Sequence, residues 1–185
     1  MSTRAALRRA LAEGELLANP VPFLLDTTRG EYGTLVGHVA RANPVWQAFS
    51  REVESLVVFQ GPQAYVSPAW YASKAVHGKV VPTWNYATVH AYGQPRFVHD
   101  RAWLLSHVTE LTNQQEATQA LPWQVADAPS DYIDFMLDKI VGVEIAITRL
   151  SGKWKMSQNR PAADRLGVIA GLTAQQTDHA AGTAA

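Results

Sequence analysis

VVPTWNYATVH, residues 80–90, is the longest strand signal in the chain, and the fold is read outward from it. β-branched and aromatic residues dominate the stretch, as a pleated, half-buried surface favours. Side chains alternate between faces along a strand. Trp84, Tyr86, His90 and Tyr92 therefore share one face, while Val81, Thr83, Asn85, Ala87 and Val89 share the other. The second face is small and mostly apolar, as a barrel interior requires. The first is aromatic with polar tips, which suits a shelf for a planar ligand, a subunit interface or packing beneath a helix.

After this strand, Tyr92-Gly93-Gln94 reads as a hairpin turn and Pro95 to Val98 as the returning strand. Asp100 caps a helix with Trp103, Leu104, Val108 and Leu111 on one stripe. Ser130 caps a second helix. Val141 to Leu150 is a strand, Ser151-Gly152 a turn, and Lys153 to Gln158 the last strand. A helix from Pro161 ends near Leu172, and residues 173–185 read as a disordered tail.

Before it, the spacing of Leu7, Ala10 and Leu11 predicts a short helix within residues 3–17. Val21-Pro22-Phe23-Leu24-Leu25 reads as an edge strand, where proline is tolerated. Thr34 to Val39 is a strand, and a helix begins at Asn43-Pro44 and runs to about Glu52. Ser55 to Gln60 is an apolar strand, Gly61-Pro62 a turn, and Ala64 to Ser67 another strand. Strands dominate, connections are short and helices are inserted between them. The fold class is mixed and mainly β, a barrel of largely antiparallel strands decorated by short helices.

Composition narrows the functions. Of 185 residues, 47% are hydrophobic and 17% charged, so the chain can bury a core. Sixteen Lys and Arg balance sixteen Asp and Glu. There is no basic surplus for nucleic acid, and no helix-turn-helix pattern, so direct DNA binding is not expected. No cysteine is present, which excludes disulfides, thiolate metal sites and cysteine nucleophiles. No apolar run approaches a membrane span of roughly 20 residues, and no apolar stretch of signal-peptide type follows the N-terminal arginines. A cytoplasmic location is expected. GxGxxG, P-loop and GxSxG motifs are absent, and His77, His90, His99 and His107 lack the spacing of a zinc site.

Two strand-to-helix corners could hold an anion. In Gly37-His38-Val39-Ala40-Arg41-Ala42-Asn43-Pro44, His38 ends a strand and Arg41 precedes a helix N-terminus, where free N–H groups and the helix dipole favour negative charge. Arginine adds a bidentate phosphate donor. The plainer alternative makes His38 a hydrogen-bonded barrel-end residue and Arg41 a surface ion pair. In Lys153-Trp154-Lys155-Met156-Ser157-Gln158-Asn159-Arg160-Pro161, Lys153, Lys155, Ser157 and Asn159 share a face before the last helix. A solvated basic edge strand is the plainer alternative there.

GHVARANPVW at 37–46, FQGPQAYVSPAWY at 59–71, HGKVVPTWNYATVHAYG at 77–93 and KWKMSQNRPAADRLGVIAGL at 153–172 resemble the PaiB-type family of FMN-binding negative transcriptional regulators, within the flavin-binding split-barrel superfamily. The resemblance runs from about Pro20 to Leu172. It implies a split-barrel domain over residues 18–172, a homodimer, a cofactor site at the subunit interface, and control of protease production and sporulation through a small ligand or partner. By this resemblance the cofactor-binding residues are His38, Arg41, Trp84, Asn85, His90, Lys155, Ser157, Gln158, Asn159 and Arg160, with FMN as the cofactor and no catalytic residue assigned. Residues 1–17 match the family poorly, which implies a barrel short of one strand or a shortened reading frame. The haem-dependent piperazate synthases are similar to this family and share GH-x-x-RANP, AYVSP, PTWN and KxSQ. That likeness implies the alternative of haem b with His38 on the iron; a cofactor-free dimeric scaffold is the third reading.

Overall fold

The structure is a computed structural model that describes residues 3–10, 16–47, 54–175 and 182–183. Its strands are β1 (Thr3–Ala10), β2 (Leu16–Asp26), β3 (Thr34–Ala40), β4 (Ser55–Val66), β5 (Thr83–Gly93), β6 (Pro95–Val98), β7 (Ile140–Ala146) and β8 (Arg149–Lys155). Its helices are α1 (Ser73–His77), α2 (Arg101–Glu116), α3 (Ser130–Leu137) and α4 (Ala162–Ala174). The chain divides into two compact units. Unit 1 is Met1–Phe59 with His90–Leu150, and unit 2 is Gln60–Val89 with Ser151–Ala185.

Unit 1 carries the strand order β6-β7-β3-β2-β1-β4, and its described pairings are antiparallel. β3 and β7 are paired along their full length, from Thr34↔Ala146 to Ala40↔Ile140. Both faces of β7 are buried from Val141 to Ile145. The core gathers Val21, Phe23, Leu35, Val39, Val57, Val143 and Ile145. Unit 2 has a smaller core of Ala64, Val66, Tyr71, Val168 and Leu172, where α4 packs against Trp70 and Tyr71.

Several expectations are corrected. The helix expected within residues 3–17 is a strand over Thr3–Ala10. Helix-forming composition loses there to hydrogen-bonded neighbours on both sides, β2 through Ala6↔Pro20 and β4 through Leu7↔Val57. Residues 11–15 lie outside the described ones. β2 is not an edge strand. Its pairing with β3 covers only Leu24 to Asp26, so Pro20 and Pro22 sit where no β3 partner calls on their missing N–H.

Gly61-Pro62 does not turn the chain, because β4 runs through it. A Cβ on Gly61 would meet Ala87 Cβ at 3.1 Å, so the glycine admits the neighbouring strand closely. Tyr92 to Gln94 is no hairpin: β6 pairs with β7, Pro95 opposite Ile145. β8 likewise runs through Ser151-Gly152, and the break falls at Ile147-Thr148. Asp100 caps α2 as expected, accepting from Trp103 N at 2.7 Å. Ser130 is the first residue of α3 and not its cap. Pro44–Trp46 is a short 3-10 turn; the rest of the helix expected to Glu52 lies outside the described residues, apart from Gln47. α4 extends to Ala174, and most of the expected tail is also outside them. No helix among the described residues is long and apolar enough to cross a membrane.

Candidate functional site

In unit 2 the strand alternation of β5 is realised at Asn85, which is 1% exposed, and at Trp84, which is 53% exposed, but not at Val89, nor at Val81 just before the strand, which share the face of Asn85 in the sequence reading and are 42% and 64% exposed. Ser157 follows β8 with a φ of 60°, a left-handed conformation that disfavours any side chain with a Cβ. This places Ser157 Oγ 2.9 Å from Asn85 Oδ1, to which it donates. Asn85 Nδ2 is buried with no hydrogen-bond partner. An orphaned buried donor costs about 1–3 kcal/mol. Backbone strain and an unsatisfied amide at one point are the pairing expected where a ligand completes the site.

Lys155 lies beside this point. Its Nζ donates to Thr83 Oγ1 and to Trp84 O, and stands 5.9 Å from the centroid of the Tyr86 ring. One ammonium proton is left over by those two bonds. Gln158 braces the turn: its Oε1 accepts from Met156 N and its Nε2 donates to Trp154 O at 2.7 Å. Asn159 is exposed. The Arg160 guanidinium stacks over Tyr71 at 4.7 Å. Asp164, buried, accepts from Ser73 N and Oγ, and the bond from Ser73 N leads the causes that hold its carboxyl below the usual range.

His38, Arg41 and His90 belong to unit 1. Arg41 has the corner geometry expected, with Asn43 accepting from Val45 N at 2.9 Å. Its guanidinium, however, is engaged by two backbone carbonyls, Asp138 O at the C-cap of α3 at 2.7 Å and Ile140 O at the start of β7 at 2.8 Å. Arg41, just after β3, thereby caps the end of α3. The 3-10 turn beyond it is too short to offer a helix dipole. His90 makes an edge contact with Tyr92 at 6.4 Å.

His38 is part of a larger arrangement. Its Nδ1 lies 3.0 Å from Nε2 of His107, which is 3% exposed, and His107 stacks on Trp103 at 5.4 Å. Trp103 Nε1 donates to Glu144 Oε1 at 3.0 Å, and Glu144 is also bound by Arg29 and Arg96. The sequence reading places Trp103 on a helix stripe and sets His107 aside as a zinc ligand, and it takes neither of them, nor Glu144, as a site residue. Their signals were there: Trp103 and His107 are four apart on one helix, and Glu144 is a lone carboxylate in an apolar strand.

Burial, then the neighbouring His38, pushes His107 down to about 4; burial also lowers His38. Both rings are neutral at pH 7. In the unfolded chain the same histidines titrate near 6.5. Between about pH 4 and 6.5 the unfolded state therefore binds more protons, and stability rises with pH. Urea denaturation should show the full contribution above pH 6.5 and a progressive loss below it. His107→Phe should flatten that slope; an unchanged slope would mean that the buried ring is not its source.

Comparison with known proteins assigns the family. Residues 4–149 match the family described as "Putative FMN-binding domain". The protease synthase and sporulation protein PAI 2 of Bacillus subtilis is 30% identical, with 91% of this chain and 78% of that protein covered. An uncharacterized protein of Emericella nidulans is 39% identical over 85% of this chain and 75% of its own. Among solved structures, the FAD and heme binding protein from Mycobacterium smegmatis aligns with a TM-score of 0.58 at 16% identity, covering 92% of this chain and 73% of that one. The flavocytochrome Anf3 from Azotobacter vinelandii aligns at 0.56 and 13%, covering 83% and 63%. The fold is thus that of the flavin-binding split barrels, and the chain belongs to the FMN-binding domain family that includes PAI 2. The family match begins at residue 4, within β1.

Proposed function

We propose that the protein is an FMN-binding homodimer of the PAI 2 kind, acting in regulation through its ligand or a partner protein. The observation that carries the cofactor reading is the unpartnered Asn85 amide beside the left-handed Ser157. Asn85 Nδ2 and the spare Lys155 proton are donors, and flavin mononucleotide offers acceptors in its phosphate and its ring carbonyls. The donor set therefore fits the group, and Asn85, Lys155 and Ser157 would hold it. Bound flavin supplies reversible electron and hydride chemistry, which a regulator can use to sense redox state. Balanced charge supports regulation without a DNA-reading surface. Trp84 and Trp154, both exposed, support burial of the outward side of these strands against a second copy.

The test is the absorption spectrum of protein expressed with riboflavin and iron available, followed by FMN titration of Asn85→Leu. Leucine removes the orphaned donor at similar volume but also leaves the buried Ser157 hydroxyl without its acceptor, so two opposing effects of about 1–3 kcal/mol each set the change in stability, which denaturation measures separately from FMN binding. FMN affinity should fall tenfold or more, the equivalent of about 1.4 kcal/mol. Unchanged affinity, or no flavin bound by the parent protein, would sink the reading.

One observation favours a second reading, haem on His38: burial keeps that imidazole neutral, as an axial ligand must be. It ranks second because iron needs the Nε2 lone pair. The proton would then sit on Nδ1, facing His107 Nε2, and leave His107 Nδ1–H buried without a partner. A Soret band in the same spectrum would reverse the ranking.

A further inference from the structure

Within unit 1, α2, α3 and the segment between them, with His38 and Ile140, line an open pocket of about 280 Å³ that the flavin reading does not use. His38, Thr112, Trp123, Tyr132, Met136 and Ile140 are among its walls, and no Asp, Glu, Lys or Arg lines it. Trp123, Tyr132 and Met136 are 46%, 53% and 44% exposed, so large apolar side chains at the cavity remain open to water. A ligand that covered them would recover hydrophobic free energy now forgone. The volume is near the lower end of small-molecule sites and, at protein packing density, holds roughly a dozen non-hydrogen atoms.

The imidazole among the cavity walls, His38, can be assigned atom by atom. Nδ1 of His38 is committed to His107, so Nε2 is the ring nitrogen left for a ligand. One proton lies between the two rings. If His38 donates it, His107 must carry its own proton on Nδ1, which is buried without a partner. If His107 donates it, Nδ1 of His107 is a bare lone pair. A buried imidazole lone pair is less costly than a buried, unpaired N–H. His107 is therefore the donor, and His38 holds its proton on Nε2.

We propose that this cavity binds a neutral, mainly apolar small molecule bearing one hydrogen-bond acceptor, which the Nε2–H of His38 receives. The apolar walls select size and shape, and His38 selects the acceptor. His107 is the positioning residue that fixes which nitrogen of His38 donates. The inference is independent of the flavin reading, whose residues lie in unit 2.

Two probes of matched shape test it on the purified full chain: acetophenone, which has a carbonyl acceptor, and α-methylstyrene, in which a methylene replaces the oxygen. Titrations followed by NMR should show both binding. His38→Leu should weaken acetophenone about tenfold and α-methylstyrene by less than about twofold. His38→Gln, which keeps a donor at the position of Nε2, should restore most of the acetophenone affinity. Met136→Trp, at a half-exposed position, should fill the cavity and weaken both. A ¹⁵N spectrum of the free protein should find the His38 proton on Nε2. Equal loss of both probes in His38→Leu, binding that survives Met136→Trp, failure of both probes to bind the parent protein, or a proton on Nδ1 of His38 would each overturn the proposal.

Discussion

Gly167→Ala should destabilise unit 2 by about 3 kcal/mol, although helix propensity alone predicts the opposite sign. Gly167 is in the middle of α4, where alanine is ordinarily better than glycine by about 1 kcal/mol. Space decides against it. A Cβ at 167 would collide with the backbone carbonyl oxygen of Trp70, and one at 171 would enter the Trp70 indole. A backbone oxygen cannot rotate away as a side chain can. Relief requires α4 to lift off the segment that holds Tyr71, and the buried Val168 and Leu172 would lift with it. The two glycines, four apart, thus form the groove in which Trp70 lies. Gly152 is the control: nothing lies within 4 Å of its would-be Cβ, so Gly152→Ala should be neutral or slightly stabilising. Equilibrium denaturation measures both. A Gly167→Ala protein as stable as its parent would mean that α4 does not pack on Trp70.

The same glycines show where sequence reading reaches and where it stops. β3, β5 and β7 are legible because β-branched runs with turn residues around them have few other uses, and Asp100 is legible as a cap because its bond is local. The failures are non-local. Thr3 to Ala10 has the composition of a helix, and only the presence of β2 and β4 on either side makes it a strand. Gly61 and Gly152 look like turns, yet both lie within continuous strands. At the candidate site, alternation along β5 correctly put Asn85 inward and Trp84 outward. The backbone angle of Ser157 and the missing partner of Asn85 Nδ2 have no trace in composition or spacing. Arg41 looked like a free anion donor because the carbonyls that engage it are about a hundred positions away.

Glu144→Ala should cost about 2–3 kcal/mol, and the loss should come chiefly from one indole. Glu144 lies in β7 between Val143 and Ile145, with 5% of its surface exposed. Both oxygens are used: Oε1 accepts from Arg29 and Trp103, and Oε2 from Arg96. The arginines are about half exposed, so each regains water when the carboxylate is removed, and little is lost with them. Trp103 Nε1 is different, because it reaches Glu144 from a partly buried ring stacked on His107. Without the carboxylate its N–H is left unpaired, at about 1–3 kcal/mol, and alanine adds a small cavity. Glutamine retains an acceptor, so Glu144→Gln should lose about half as much. Burial would raise the carboxyl's pKa, but hydrogen bonds from Arg96, Arg29 and Trp103 outweigh it, and the net shift is downward. The contribution is therefore complete above the ordinary glutamate range and is lost as pH falls through the lower folded value. Parent and Glu144→Ala should converge in stability toward acid pH. Because Trp103 stacks on His107, the alanine variant should also disturb the His107 and His38 ring signals in an NMR spectrum. Unchanged imidazole signals in a protein destabilised by the full amount would separate the Glu144 cluster from the histidine pair and leave it a purely structural clasp.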